Sequence, residues 1–243
     1  MSEHAHYGYF GKLPVKGDFV ARGLPRSFIE TWDAWLQDRL SASHQRLQDY
    51  WLEIYLTCPL WRFALSPGMI DDNAWTGVIM PSVDSVNRHF PLTLAYPLPA
   101  TTDLVHLATE HQHWFTQAEE LLLSALDERL DLTSFDASID ELYSQSPANA
   151  AAPSHLPVHA NGNALRIPLP TSDHLPQALP GVMNALLRKR HEHYSLWWSD
   201  GSEHVEPSLV ISPTLPSGDG FTAMLDGRWV EWGWEDVGPT TPG

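Results

Sequence analysis

Thirteen histidines make metal binding the first chemistry to weigh. The close pairs are His4/His6, His111/His113 and His191/His193. Residues two apart on a helix point roughly 200° from each other, so His111 and His113 cannot chelate one ion together. Arg190-His191-Glu192-His193 superficially looks like a zinc helix, but the metalloprotease pattern needs its histidines four apart. The spacing predicts solvated histidines and no metal site. Cys58 is the only cysteine and stands beside Pro59 on the apolar side of an alternating run. A nucleophile wants exposure and a nearby base, so Cys58 is expected as a small core hydrophobe. No G-x-S-x-G elbow occurs, and Ser82 in Pro81-Ser82-Val83-Asp84 lacks one. Gly8, Gly11 and Gly17 around Lys12 resemble a phosphate loop, yet Pro14 interrupts the run and no hydroxyl follows a lysine. That stretch is expected to be an ordered turn. Asp71-Asp72 lies close to Pro67-Gly68 and reads as a solvated turn rather than a cation site. Neither catalysis nor a cofactor is predicted.

Binding is a different matter. In PSVDSVNRHFP (81–91), Asp84 and Arg88 stand four apart with His89 adjacent, between two expected strands. Mixed charge on a loop between apolar strands suits a recognition element. An internal Asp–Arg pair that merely pins the loop fits as well. Lys12, Asp18 and Arg22 in the first loop carry the same two readings. Trp61 and Arg62 are of the types that anchor protein interfaces. Trp61 also alternates with Phe63 and Leu65, which equally describes a core tryptophan.

The elements that position these residues follow from periodicity. A short strand and an ordered loop are expected over 7–26. A helix then begins near Ser27, with Glu30 three residues on, and Phe28, Trp32, Trp35, Leu36, Leu40 and Leu47 form one stripe. Residues 52–58 alternate, as do 61–66, which predicts an antiparallel hairpin. Further strands are expected at 75–80 and 91–96, bounded by Pro81 and Pro91. A long helix is expected from Asp103 to Leu130, capped by Thr101 or Thr102, with a shorter one over 138–144. SPANAAAPSHLP (146–157) reads as a linker or long loop. Beyond it come a helix over 180–192, ending in Arg188, Lys189 and Arg190, and strands at 194–199 and 207–212. The pattern predicts an α+β fold, an antiparallel or mixed sheet flanked by helices. Its expected layout is an α/β part over 1–145 and a C-terminal α/β part over 158–243, packed on the first or continuous with it.

Composition bounds the partners. Fourteen basic against 30 acidic residues give −16 in 243 residues. That field disfavours nucleic acid and anionic membranes. No window approaches the roughly 18 to 20 apolar residues a membrane helix needs. The single cysteine and the absence of a basic-then-apolar start point to the cytoplasm.

Several strings in order are similar to one family. GYFGKLPVKGDFVARGLP (8–25), WDAWLQDRL (32–40), WRFALSPG (61–68) and WTGVIMPSVDSVNRHFPLTLA (75–95) resemble the TagF family associated with bacterial type VI secretion. SLWWSDG (195–201) and LDGRWVEWGW (225–234) resemble its later signature. The likeness is dense over 7–99, sparse over 100–190, and resumes near the end. It implies a post-translational repressor of type VI secretion in a Gram-negative bacterium. Such a repressor holds a forkhead-associated scaffold protein, or sheath components, away from the assembling machine, beside a threonine kinase–phosphatase pathway. Some members are fused to the phosphatase; this chain resembles the stand-alone form. The family implies a longin/profilin-like N-terminal part and supplies no agreed catalytic residues. A structural component of the apparatus is the alternative, and a hydrolase with scattered site residues is a more distant one.

Overall fold

The computed structural model describes residues 7–145, 158–161 and 164–235; the expected linker at 146–157 lies outside them. Seven strands form one antiparallel sheet: β1 (Gly8–Gly11), β2 (Val20–Arg22), β3 (Trp61–Leu65), β4 (Ala74–Met80), β5 (Leu92–Leu98), β8 (Ser195–Ser199) and β9 (Ser208–Ser212). Their spatial order is β2-β1-β5-β4-β3-β8-β9. The sheet therefore runs without a break from the N-terminal strands into the C-terminal pair, joined where Phe63 of β3 faces Trp197 of β8. A small separate hairpin joins β6 (His159–Asn161) and β7 (Ala164–Arg166).

Helices cover both faces. α1 (Arg26–Leu47), α2 (Trp51–Thr57) and α7 (Gly218–Asp226) lie on one side. α3 (Leu104–Glu110), α4 (Gln112–Ser124), α5 (Leu132–Ser144) and α6 (Leu175–Arg190) lie on the other. The central strands β3 and β4 are buried along their whole length, because side chains on both pleat faces meet a helical layer. The α1 stripe buries Phe28, Trp32, Leu36, Leu40 and Leu47 against Phe63, Trp75 and Trp197, as its spacing predicts. The opposite core joins Val78, Leu94 and Leu196 to Phe115, Leu122 and Ile139. Some buried tryptophans find acceptors for their indole N–H, Trp32 donating to Thr93 Oγ1 at 2.8 Å and Trp61 to the Met224 carbonyl at 3.1 Å, whereas the indole N–H groups of Trp197 and Trp198 meet no acceptor among the described residues.

Local differences from the sequence expectation have physical causes. Residues 52–57 lie in helix α2, not a strand, with Cys58 extended just past its end, and β3 pairs with β4 and β8 instead. Trp51 and Tyr55, one helical turn apart, are buried and stacked at 4.8 Å, whereas Leu52 and Leu56 are 44% and 50% exposed. The apparent alternation is a by-product of a leucine-rich outer face. The long helix expected from Asp103 to Leu130 breaks at His111, whose φ of −107° and ψ of 28° leave the helical region. Asp103 itself caps α3, accepting from the Val105 and His106 amides. Asp131 caps α5 in the same way, so that helix starts six residues before the expected one at 138. The helix at 26 starts on Pro25 with no side-chain cap, not on Ser27. α6 begins at Leu175 and tolerates Pro180 near its start, where one backbone bond to residue 176 is lost. No helix among the described residues is long and apolar enough to cross a membrane.

Candidate protein-interaction site

Two loops from distant parts of the sequence are fastened to each other at the end of the sheet where β1 and β4 finish and β5 begins. The first follows β1 and the second joins β4 to β5. Asp84 is the hub. Its Oδ1 accepts from the Val86 and Arg88 amides at 3.0 and 2.8 Å. Its Oδ2 accepts from Lys12 Nζ and Arg88 Nε, both at 2.7 Å. The carboxylate is wholly buried, and so is nearly all of the Lys12 side chain. Burial alone would raise the Asp84 carboxyl. The Lys12 hydrogen bond, followed by those from Arg88 and Val86, outweighs burial and holds it well below the usual carboxylate range. Backbone links complete the fastening: the Ser85 amide donates to the Lys16 carbonyl at 2.9 Å, and Ser82 Oγ to the Lys12 carbonyl at 2.7 Å. Arg88 also donates to the Gly17 carbonyl. Asn87 turns the tip with a φ of 64°, a left-handed conformation that asparagine tolerates better than most side chains.

What this base displays is a small mixed surface. Phe19 stacks on Phe10 at 5.6 Å and edges against Phe90 at 4.8 Å, yet half of it remains exposed. Lys12 Nζ lies 5.1 Å from its ring centre, a cation–π contact that holds the ring from beneath. Val86 is exposed at the tip, and Asp18 and the outer edge of Arg88 face solvent 3.7 Å apart. Phe19 and Val86 carry no charge or motif in the sequence; only their position beside the mixed-charge loops marks them.

The other sequence candidates lie elsewhere. Arg22 ties β2 to α5, meeting Asp140 at 3.1 Å and Asp136 at 3.3 Å on a partly exposed flank. Tyr7 and Tyr9 donate to the same two aspartates at 2.9 and 2.8 Å. Trp61 is in the core. Arg62 is buried between β3 and α4, clamping Glu119 with two bonds of 2.7 Å and reaching Gln112 and Asp200 at 2.7 Å each. Lys12, Trp61, Arg62 and Asp84 are thus buried. Asp18, Arg22 and Arg88 reach solvent.

Among the described residues no three His, Cys, Asp or Glu side chains group to hold a metal. Burial pushes the Cys58 thiol up to about 12, which leaves almost no thiolate at neutral pH.

A family model described as the TagF N-terminal domain, type VI secretion system-associated, matches residues 8–142, more than half of the chain. The chain belongs to the TagF family. A solved structure described as the crystal structure of PA0076 from Pseudomonas aeruginosa PAO1 is 38% identical, with a TM-score of 0.77. The similarity covers 98% of this chain and 99% of that one. No curated protein matches. The TagF-like strings acquire contacts in the fold. Residues 8–25 and 75–95 supply the Lys12–Asp84–Arg88 fastening. SLWWSDG supplies Asp200 to Arg62. In LDGRWVEWGW, buried Asp226 accepts from Arg228 Nε at 2.9 Å and Trp232 Nε1 at 2.8 Å, folding the segment after α7 back on itself.

Proposed function

We propose that this protein is a post-translational negative regulator of type VI secretion, working in the cytoplasm by binding an assembly component and withholding it. The component we favour is a forkhead-associated scaffold protein, with a sheath component as the other candidate. Membership of a type VI secretion-associated family supports the setting. The observation that carries the binding role is the doubly fastened loop pair, which presents Phe19 and Val86 beside Asp18 and Arg88 on a rigid base. A preorganised loop spends little ordering entropy when it docks, so modest contacts suffice for affinity. The same reading treats the N-terminal strands as a longin/profilin-like platform for these loops.

Repression then follows from mass action and needs no turnover. A partner held by regulator at about 100 times the dissociation constant has roughly 1% of its molecules free for assembly. The net charge of −16 favours partners with neutral or basic docking patches. Deleting the gene is expected to raise type VI secretion while the levels of the component proteins stay constant. Re-expression of a Phe19→Ser, Val86→Asp variant, folded as judged by its circular dichroism, should fail to repress. Secretion unchanged by the deletion would refute the regulator reading.

A further inference from the structure

Beside the fastened loops, a groove of about 370 Å³ opens between α2 and the end of α4. Its deeper surface is Cys58, Leu60 and Met80, and its walls are Leu56 on one side and Leu123 and Leu126 on the other. Those wall leucines are all substantially exposed, and Leu52 stands exposed one turn before Leu56. Large aliphatic side chains gathered around one concavity, instead of scattered singly, mark a surface that something covers. One end of the groove is closed by Pro14 and Pro81–Val83, which belong to the two loops that Lys12 and Asp84 fasten together. The groove therefore adjoins the two loops that carry the surface proposed for partner binding, and the buried ion pair holds those loops in place.

Charge narrows the occupant. The single charged side chain lining the groove is Glu128. Asp127 adjoins it, and Glu53 stands one turn before Leu56 on α2; all three are exposed. Arg129 follows Glu128 in the sequence, and Lys12 and Arg88 on the adjoining loops are already paired with Asp84, against a whole-molecule charge of −16. An apolar trough with acidic residues on its rim favours an apolar ridge flanked by lysine or arginine, and disfavours an acidic one. Its volume lies in the range of pockets that take a few bulky side chains rather than a whole domain face.

We propose that this groove receives a short amphipathic helix of the protein partner, with bulky apolar residues on one face and basic residues flanking them. This inference rests on the regulator reading for the identity of the partner, but the groove's preference can be measured without it. The probe is a synthetic amphipathic peptide with leucines on one face and lysines on the other, titrated into the full chain labelled at leucine and methionine methyl groups. Methyl shifts should concentrate at Met80, Leu56, Leu60, Leu123 and Leu126. A counterpart with glutamate in place of lysine should bind about tenfold more weakly or worse, since a few exposed ion pairs of modest strength are exchanged for repulsions. The Leu56→Glu, Leu123→Glu variant should lose the lysine peptide, whereas Leu186→Glu, on the exposed face of α6, should keep it. Shifts centred elsewhere, or equal binding of the two peptides, would overturn the proposal.

A second arm separates this inference from the regulator reading. If the forkhead-associated scaffold co-purifies with the wild-type chain and equally with Leu56→Glu, Leu123→Glu, the groove is not where the partner docks, and the regulator reading stands. If the scaffold does not bind the wild-type chain, the favoured partner fails, while the peptide titration still decides the groove.

Discussion

Replacing Arg62 separates a residue that grips a partner from one that holds the fold. Its side chain is only 4% exposed, and that of Glu119, which it clamps with Nε and Nη2, is 17% exposed. Truncating one member of a buried pair costs about 3 to 5 kcal/mol when the other is left without solvent. Glu119 retains some access to water, and Asp200 is 83% exposed, so the Asp200 contact contributes within the surface range of about 0 to 1 kcal/mol. Loss of the aliphatic stem against β3 and α4 adds to the deficit. Arg62→Ala is therefore expected to destabilise by about 3 kcal/mol. For a chain of this length that lowers Tm by about 6 to 12 °C. Arg62→Lys keeps the charge, but its single ammonium cannot reach four acceptors in a fixed fork, so about half the loss should persist. Denaturant unfolding of Arg62→Ala, Glu119→Gln and the double variant gives the coupling, expected at about 1.5 to 3 kcal/mol. At low temperature, where Arg62→Ala remains folded, partner binding should match wild type. A stability change under about 1 kcal/mol, a coupling of zero, or binding lost by a fully folded variant would each refute the structural role.

Three further outcomes follow from the same coordinates. Tyr55→Ala should cost about 3 to 4 kcal/mol in denaturant unfolding, and Leu56→Glu less than about 0.5, because α2 buries the first and exposes the second; a strand would reverse that order. The Arg22 hydrogen bond comes first in holding the Asp140 carboxyl below its ordinary value, so its stabilisation is present above the unfolded pKa, near 3.9, and fades as pH falls through the lower folded value. Both side chains are partly exposed, so Arg22→Ala should lose at most about 1 kcal/mol at pH 7, and the gap from wild type should narrow as acid protonates Asp140 in the folded state. Burial raises the hydroxyls of Tyr9, Tyr55 and Tyr96, and lifts Tyr194 to about 12. Neutral tyrosine is favoured by the fold, so stability is intact below the unfolded value near 10 and falls above it, by about 1.4 kcal/mol per pH unit for each group. Absorbance at alkaline pH should show these tyrosines ionising in one cooperative step with unfolding, and gradual independent titration would count against their burial.

Periodicity and chemistry in the chain fix several features without the third dimension. The 3- and 4-residue spacing from Phe28 to Leu47 marks one helix face, and the runs at 75–80 and 194–199 read as strands, which the fold then covers on both sides. The spacing of the histidines on its own speaks against a chelating pair on one helix. Tertiary structure decided what spacing leaves open. Leu52, Ile54 and Leu56 fit a strand as well as a helix, and the seats for Trp51 against Ser43 of α1 and for Tyr55 beneath the loop at Ser82 select the helix. Asp84 and Arg88 at four residues apart are compatible with display or with internal pairing. Lys12, 72 positions away, makes the choice by meeting Asp84 in the core and leaving Arg88 at the rim. Phe19 and Val86 lie within the TagF-like strings, but neither they nor the leucine groove carries a local sign of exposure. A surface made of ordinary apolar residues becomes visible only when distant segments are folded side by side, because exposure is a property of neighbours and not of sequence.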